Sequence, residues 1–575
     1  MKKHKALFLA LSLTLSSLYA QEKDIITTRN YPQGYFRNPL NIAMDASGTF
    51  GELRSTHFHA GDDYRTQQRI GLPLHAAAAG YVSRIRVQIG GGGNSVYIDH
   101  PNGYTTVYLH MDSFNEALTN IIRAEQYNQK RFDVDVTLKP EQIKLTKGQL
   151  IGKAGNTGGS AGPHLHFEIR DTKTQHPLNP QLFGLRFKDN YAPTISGLMV
   201  YDLNTKIFNE HTPRKAFTVK ALQGHRYAVN SSGPIPVKGK FGFGISSVDR
   251  HRPGGFKNGV YSIELFLDGI AKSTILFEEL DFNTSRGIHS YIDYPYWKKT
   301  KVKYQKSFKD PGNAIDIFNH IDNQQGIISL TENKVYQVKY VVKDVQGNCS
   351  ELNFAIKNTV ANDPVEEIRP GETIFAYDTD NNFRNESVEV NIPKGSLYGD
   401  VNFKYATATQ TAGSYSLTHK IHNNLTPIFS AYNLRIKPTN LPSHLHDKAL
   451  IASAESGSEG GRYENGWVVV NTRNFGNFYI TVDTIAPTIT PRNLTNGKNV
   501  SGQSKIDFTI RDNFSGIQSF NGYIDGEWVL MEYDSKNRHL WHKFDSSLTK
   551  GPHKFKLIVK DWKDNEKVYQ ASFNR

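Results

Sequence analysis

Cysteine is almost absent: Cys349 is the only one in 575 residues. A single thiol excludes an intrachain disulfide framework, and it leaves any zinc-type site to be built from histidines and carboxylates. Long apolar runs are missing too, except at the N-terminus. There Lys2, Lys3 and Lys5 precede an apolar stretch from Ala6 to Leu13 and small residues up to Ala20. This is the layout of a secretory signal peptide, shorter than the ~20 apolar residues of a spanning helix. Residues 1–20 are therefore read as an export signal. The mature chain is expected in the periplasm, the cell envelope or outside the cell, with no transmembrane segment after cleavage. No cysteine stands at the cleavage point, which argues against lipid attachment there. The formal charge of +13 comes with no dense Lys/Arg block. The charge favours anionic partners, and export makes nucleic acid a poor candidate and cell-wall polymers a good one; the even spread of Lys and Arg fits solubility alone equally well.

What is present reads as strands and turns. Aromatics reach 11%, and Gly, Thr, Asn and Tyr are frequent, a palette of sheets more than of long helices. The length exceeds what one hydrophobic core supports, and about three or four domains are expected. Gly90 to Gly93 is read as a hairpin turn and not a phosphate loop, because no Lys-Ser or Lys-Thr follows it. From Phe114 to Lys130, apolar Leu118, Ile121, Ile122 and Ala124 among polar residues predict an inserted helix.

The stretch Pro163-His164-Leu165-His166-Phe167-Glu168 separates two chemistries by alternation. On a strand, His164, His166 and Glu168 share one face, while Leu165 and Phe167 turn to the other and supply a core face. Two adjacent imidazoles on one face ask for a metal. Upstream, Thr56-His57-Phe58-His59-Ala60-Gly61-Asp62-Asp63 places His59 and Asp63 four apart. A catalytic zinc takes three protein ligands and leaves a fourth position to water. His59, Asp63 and His166 complete such a set.

Further motifs lie between and before these. Gly93 to His100 and Asn102 to His110, the latter ending Tyr108-Leu109-His110, precede the Gly155-Asn156-Thr157-Gly158-Gly159-Ser160-Ala161-Gly162 run that leads into the His-Leu-His strand. In this order the motifs resemble the lysostaphin or LytM type of zinc metalloendopeptidase, over roughly residues 40 to 185. The resemblance implies an enzyme that hydrolyses peptide bonds in peptidoglycan stem peptides or cross-bridges, with Zn2+ as cofactor. It implies His164 as the base that moves a proton from water to the leaving amine, and His110 as the second catalytic histidine, orienting water or the oxyanion. No His-Glu-x-x-His occurs in the chain, so the base does not come from the helix that carries it in many zinc proteases. Glu168 is read either as a support for a ligand or as a solvent-facing carboxylate. His57 and His100 are read as structural, and Asp62 as facing outward. The inserted helix is longer than the connection common in that family and stands where it can wall the groove.

Beyond residue 187 an echo appears. Tyr191-Ala192-Pro193-Thr194-Ile195 recurs as Ile485-Ala486-Pro487-Thr488-Ile489, and Val341 to Asn348 recurs as Ile558 to Asn565. Each pair brackets a unit that looks like an immunoglobulin-like β-sandwich. The expected fold class is mainly β: an antiparallel LytM-type peptidase domain over 21–187, a sandwich with insertions over 188–358, a linker over 359–370, a sandwich over 371–482 and a compact one over 483–575. Ser453 to Gly466 is read as a long exposed hairpin loop. Asp378, Asp380, Asn382 and Glu389 imitate a calcium loop, but Phe383 stands where its sharp turn needs Gly. The sandwiches would offer surfaces to other envelope polymers or proteins. Two rival classes are a non-catalytic regulator of other hydrolases and an adhesion or scaffolding protein. All five matching positions are occupied, which disfavours the first.

Overall fold

The computed structural model describes residues 25–205, 207–359 and 373–575. The export signal read over 1–20, and all but the first residue of the linker read over 359–370, lie outside them. The chain is mainly β. Its N-terminal unit is built from β1 (Ala46–Gly48), β2 (Asp62–Arg65), β3 (Pro73–His75), β4 (Gly80–Val87), β5 (Asn94–Asp99), β6 (Tyr104–Phe114), helix α1 (Glu116–Gln129), β7 (Val134–Thr137), β8 (Lys144–Leu145), β9 (Leu150–Ala154), β10 (His164–Asp171) and β11 (Pro177–Leu178). The main sheet runs β1-β2-β10-β6-β5-β4-β7. Every pairing in it is antiparallel.

Alternation along β10 decides which way this sheet faces. Leu165, Phe167 and Ile169 are fully buried and pack with Tyr64, Tyr108, Val82 and Ile98. His166 pairs with Asp63 on one side and Leu109 on the other. The central strand thus sets its imidazole beside the carboxylate of β2. Helix α1 begins at Asn115, whose side chain accepts from Leu118 N at 3.0 Å. It buries Leu118, Ile122 and Gln126 in place of the apolar four read from the sequence. Ala124 is exposed, and Gln126 replaces it because its amide donates to Phe132 O at 2.6 Å, which satisfies the buried polar group.

Three further β-units follow. Thr194 to Asn358 forms a twelve-stranded, two-layered network around Leu265, Tyr340, Leu352 and Ile356. Within it Arg226–Val229 and Ile235–Val237 run parallel to Cys349–Asn358. Residues 373–482 form two five-stranded sheets and a two-stranded pair around Val390, Leu434, Phe478 and Ile480. Residues 488–574 place a four-stranded and a five-stranded sheet about Phe508, Phe555 and Leu557. The segment read as an exposed loop over Ser453 to Gly466 carries two short strands, Gly457–Gly460 and Arg462–Glu464. Left-handed Gly457 and Gly460 let that segment turn back and pair. Asp380, of the calcium-like series, accepts from Lys394 N at 2.8 Å. No described helix is long and apolar enough to cross a membrane.

The N-terminal unit is sewn into its successor. Phe50 and Phe58, 2% and 1% exposed, belong to the core of the 194–358 unit, with Phe58 5.6 Å from Phe277 and 5.8 Å from Tyr291.

Candidate metal centre

Three donor atoms converge at the open end of β2 and β10. His59 Nε2 lies 3.0 Å from Asp63 Oδ1 and 2.9 Å from His166 Nδ1, and His166 Nδ1 lies 2.9 Å from Asp63 Oδ1. All three residues are buried. Gly61 makes the approach possible, because a Cβ there would sit 2.3 Å from Phe167 O and 3.0 Å from His166 Nε2. The short turn from His59 to Asp63 therefore lies directly against β10.

The outward nitrogens of both rings are occupied. His59 Nδ1 donates to Thr49 O at 2.9 Å, and His166 Nε2 donates to Glu168 Oε1 at 2.9 Å. Such partners fix the tautomers and turn two lone pairs inward beside a carboxylate oxygen. Two lone pairs 2.9 Å apart repel unless a cation or a proton lies between them. Burial by itself would raise the Asp63 carboxyl, yet His59, His164 and His166 around it hold it well below the ordinary carboxylate range. Burial would likewise lower His166, and the carboxylates of Asp63 and Glu168 outweigh it and raise the ring to about 9. A group of this composition, two imidazoles and one carboxylate with fixed outer partners, fits Zn2+.

The two other histidines stand beside this group. His164 Nε2 is 3.4 Å from Asp63 Oδ1, and its Nδ1 donates to Gly162 O at 2.8 Å. His110 lies with its ring centre 4.9 Å from that of His164 and 6.1 Å from that of His166. Its backbone is left-handed, φ 61°, an uncommon state for a residue other than glycine. Its N–H donates to Gly92 O at 2.8 Å and its Nδ1 to Thr157 O at 2.9 Å, so the loops on both sides hold it there. Burial first, then His166 and His164, lower its ring to about 3. A neutral His110 with Nδ1 committed to Thr157 leaves Nε2 as an acceptor.

Glu168 is 2% exposed and its second oxygen takes Arg170 Nε and Nη2 at 2.5 Å, so of its two readings the buried one holds. Asp62 does not face outward. It is fully buried, its Oδ1 accepts from Phe50 N at 3.0 Å, and burial above all raises it to about 8. The face of β2 opposite Asp63 is covered by the loop that carries Phe50, and solvent does not reach it. His100 is a core group, bonded to Ala79 O and to Thr106 Oγ1, both at 2.8 Å. His57 is exposed. Sequence reasoning passed over Arg54, whose Nη2 holds Asp63 Oδ2 at 2.9 Å and Glu52 at 3.1 Å. It also passed over Lys536, which donates to Asn156 O, Gly158 O and Ser160 O on the loop beneath His110. Neither carries a local signal, since one lies in an unpatterned loop and the other 376 or more residues away.

Residues 57–127 and 128–180 match the model of peptidase family M23. Residues 57–180 are a peptidase family M23 domain. Residues 372–483 match a Zu5-like domain. The DD-carboxypeptidase/endopeptidase Mpg of Neisseria meningitidis is 31% identical over 156 residues, 27% of this chain and 27% of that protein. The peptidoglycan DD-endopeptidase ShyC of Vibrio cholerae is 30% identical over 149 residues, 24% of this chain and 28% of that protein. The match thus spans about a quarter of the length of either relative. Among solved structures, the catalytic domain of the antimicrobial peptidase lysostaphin from Staphylococcus simulans is 24% identical, with 24% of this chain and 88% of that one covered and a TM-score of 0.17. Within the M23 domain the helix read as an insertion, α1, lines a cavity of about 270 Å³ through Thr119, Ile122 and Arg123, and Trp541 of the last β-unit lines the same cavity.

Proposed function

We propose that the chain is an exported zinc metalloendopeptidase that hydrolyses peptide bonds in peptidoglycan stem peptides or cross-bridges. The observation that carries this reading is the inward convergence of His59 Nε2, Asp63 Oδ1 and His166 Nδ1, with both imidazole tautomers fixed from outside. The names of the relatives supply the substrate class. His59, Asp63 and His166 would hold the metal. When bound, zinc supplies Lewis acidity toward the scissile carbonyl and a lowered pKa for water.

The remaining work falls to the chain's own side chains. His164 Nε2, 3.4 Å from Asp63 Oδ1, takes the proton from water and then passes it to the leaving amine. His110 Nε2, kept neutral, accepts a hydrogen bond and so orients the water. Glu168 and Arg170 keep His166 turned inward. The β-units after residue 187 locate the enzyme on its insoluble substrate or on other envelope polymers.

Incubating the mature protein with purified sacculi and identifying released fragments by mass spectrometry tests the proposal. Fragments with new peptide termini and intact glycan are expected. Sacculi left intact by zinc-loaded protein, or fragments cut only in glycan, would overturn it.

A further inference from the structure

A second group of buried carboxylates lies at the seam where the M23 domain meets the 194–358 unit. Asp189, Asp249 and Asp344 are 8%, 2% and 3% exposed. Donor atoms of Asp189, Asp249 and His251 all lie within 4.8 Å of one another. Asp249 Oδ1 is buried and has no hydrogen-bond partner among the described residues, and the same is true of Oδ1 of Asn258, 4% exposed. These two residues form an isolated antiparallel bridge, with Asp249 N donating to Asn258 O at 3.2 Å and Asn258 N to Asp249 O at 2.9 Å. Residues directly opposite in such a pair project to the same face with Cβ atoms ~5 Å apart. Two orphaned oxygens therefore lie on one face, where a buried acceptor without a partner is costly.

The charge balance points the same way. Burial first, then Asp189 and Asp344, push the Asp249 carboxyl well above its ordinary range. Burial, with Asp189 again contributing, raises Asp344 to about 6. His251 Nε2 lies 3.7 Å from Asp249 Oδ2 and 3.8 Å from Asp189 Oδ2. A cation among these carboxylates would relieve the repulsion that Asp189 and Asp344 exert on Asp249.

The arrangement recurs in the last β-unit. Asp483, Asp512 and Asp561 also bring oxygens within 4.8 Å of one another, and Asp512 Oδ1 is again buried and unpartnered among the described residues. Tyr191 N donates to Asp189 Oδ1 as Ile485 N does to Asp483 Oδ1, at 2.9 and 3.2 Å. Asp344 Oδ1 accepts from Gln346 N and Asn348 N at 2.8 and 2.9 Å, and Asp561 Oδ1 from Lys563 N and Asn565 N at 2.7 and 2.9 Å. The repeated Asp-x-x-x-Asn turns thus hold matching carboxylates in matching positions. The difference is Lys563, which stands where the first turn has neutral Gln346; its ammonium donates to Ala449 O and Gly461 O, and the charges of Asp483 and Asp561 act on it.

We propose that Asp189, Asp249, Asn258 and Asp344 bind a divalent cation of the Ca2+ class at this seam. Oxygen donors dominate the group, as calcium prefers and a tetrahedral nitrogen or sulfur site does not. The ion would brace the catalytic sheet from behind. His251 stacks on Phe187 at 5.3 Å, Phe187 packs on Tyr64 at 5.3 Å, and Tyr64 is the neighbour of Asp63 on β2. Gln346, on the Asp344 turn, donates to Phe187 O at 3.2 Å.

The test titrates CaCl2 into full-length mature protein by calorimetry and follows thermal unfolding with and without the ion. His166→Ala is included in every chain so that the catalytic centre takes no part, and Asp512→Asn so that the second acid group takes none. Saturable binding with a Kd no weaker than ~1 mM, the range of extracellular calcium modules, and a raised unfolding midpoint are expected. Asp249→Asn should weaken binding at least tenfold. Where that variant does not fold, Asn258→Ala, which removes one neutral oxygen, should weaken it as well. No binding at millimolar calcium, binding unchanged by both substitutions, or a response to ZnCl2 alone would overturn the proposal.

Discussion

On the proposed assignment a proton and a divalent cation would compete for the small space between His59, Asp63 and His166, and His164 and His166 would have different duties. His166 contributes Nδ1 to that space, whereas His164 reaches only the edge of it, 3.4 Å from Asp63 Oδ1. His164→Ala should keep about one zinc per chain and lose 10²- to 10⁴-fold in turnover, the range of general acid–base catalysis. His166→Ala should lose the metal together with the activity. Metal analysis beside turnover of a soluble cross-bridge peptide separates them, and loss of zinc from the His164 variant would mean the two roles are exchanged. A histidine far from the site carries a stability expectation. His419 is 1% exposed, and burial lowers its ring from 6.5 to about 4. Between those values the unfolded chain binds a proton that the folded chain excludes. Its contribution is therefore complete above pH 6.5 and is lost as pH falls toward 4, at up to ~1.4 kcal/mol per pH unit. Urea midpoints from pH 7.5 to 4.5 should fall less steeply for His419→Gln than for the natural chain. Equal slopes would remove His419 from the account.

At the scale of elements, β10 and the turn facing it show what a sequence exposes and what it hides. Alternation over 164–168 gives both the core face, Leu165 and Phe167, and the polar face with His164, His166 and Glu168, because a strand's period needs no knowledge of its neighbours. The spacing of His59 and Asp63 was legible for the same reason. What each face meets was not. Asp62 looked like a surface residue, and only the loop carrying Phe50 makes it a buried one. Arg54 and Lys536 act through contacts that no periodicity records. Gly61 is the point where local and long-range demands meet, since a Cβ there would meet Phe167 O at 2.3 Å, a backbone atom that cannot swing away. Gly61→Ala should push the His59–Asp63 turn off β10 and lower zinc affinity at least tenfold, read by competition with a chromogenic chelator. Unchanged affinity would show that the turn and strand part without cost.

At the scale of the whole molecule, composition shifts near residue 187 and every residue assigned to metal or proton transfer precedes 170, so the sequence invites a cut at 187. The contacts argue that such a cut falls through the support of the metal centre. The loop that presents His59 is a short antiparallel pair: Gly51 N donates to His59 O and His59 N to Glu52 O, both at 2.9 Å. Its outer residues, Phe50 and Phe58, lie in the core of the following unit against Phe277 and Tyr291. Phe58 N donates to Ser285 Oγ at 3.1 Å, and Lys303 Nζ donates to Leu53 O. Returning two buried phenylalanines to water costs ~1.5–3 kcal/mol each, ~3–6 kcal/mol together, a large share of a domain's net stability. The loss falls on the segment that carries the ligand His59 and Arg54, which holds Asp63 Oδ2 at 2.9 Å. A chain of residues 21–187 is therefore expected to precipitate or to bind zinc weakly and hydrolyse soluble cross-bridge peptides poorly. A chain of residues 21–359, which keeps Phe277, Ser285, Tyr291 and Lys303, should bind zinc as the full chain does and turn those peptides over, short of the full chain by whatever Lys536 contributes through the loop beneath His110. It should fall further behind on intact sacculi, where the later β-units raise the local concentration of enzyme. Solubility, zinc content and peptide turnover measured side by side decide the matter. Full activity in the shorter chain would show that Phe50 and Phe58 are held by packing alone and that the metal centre stands without them.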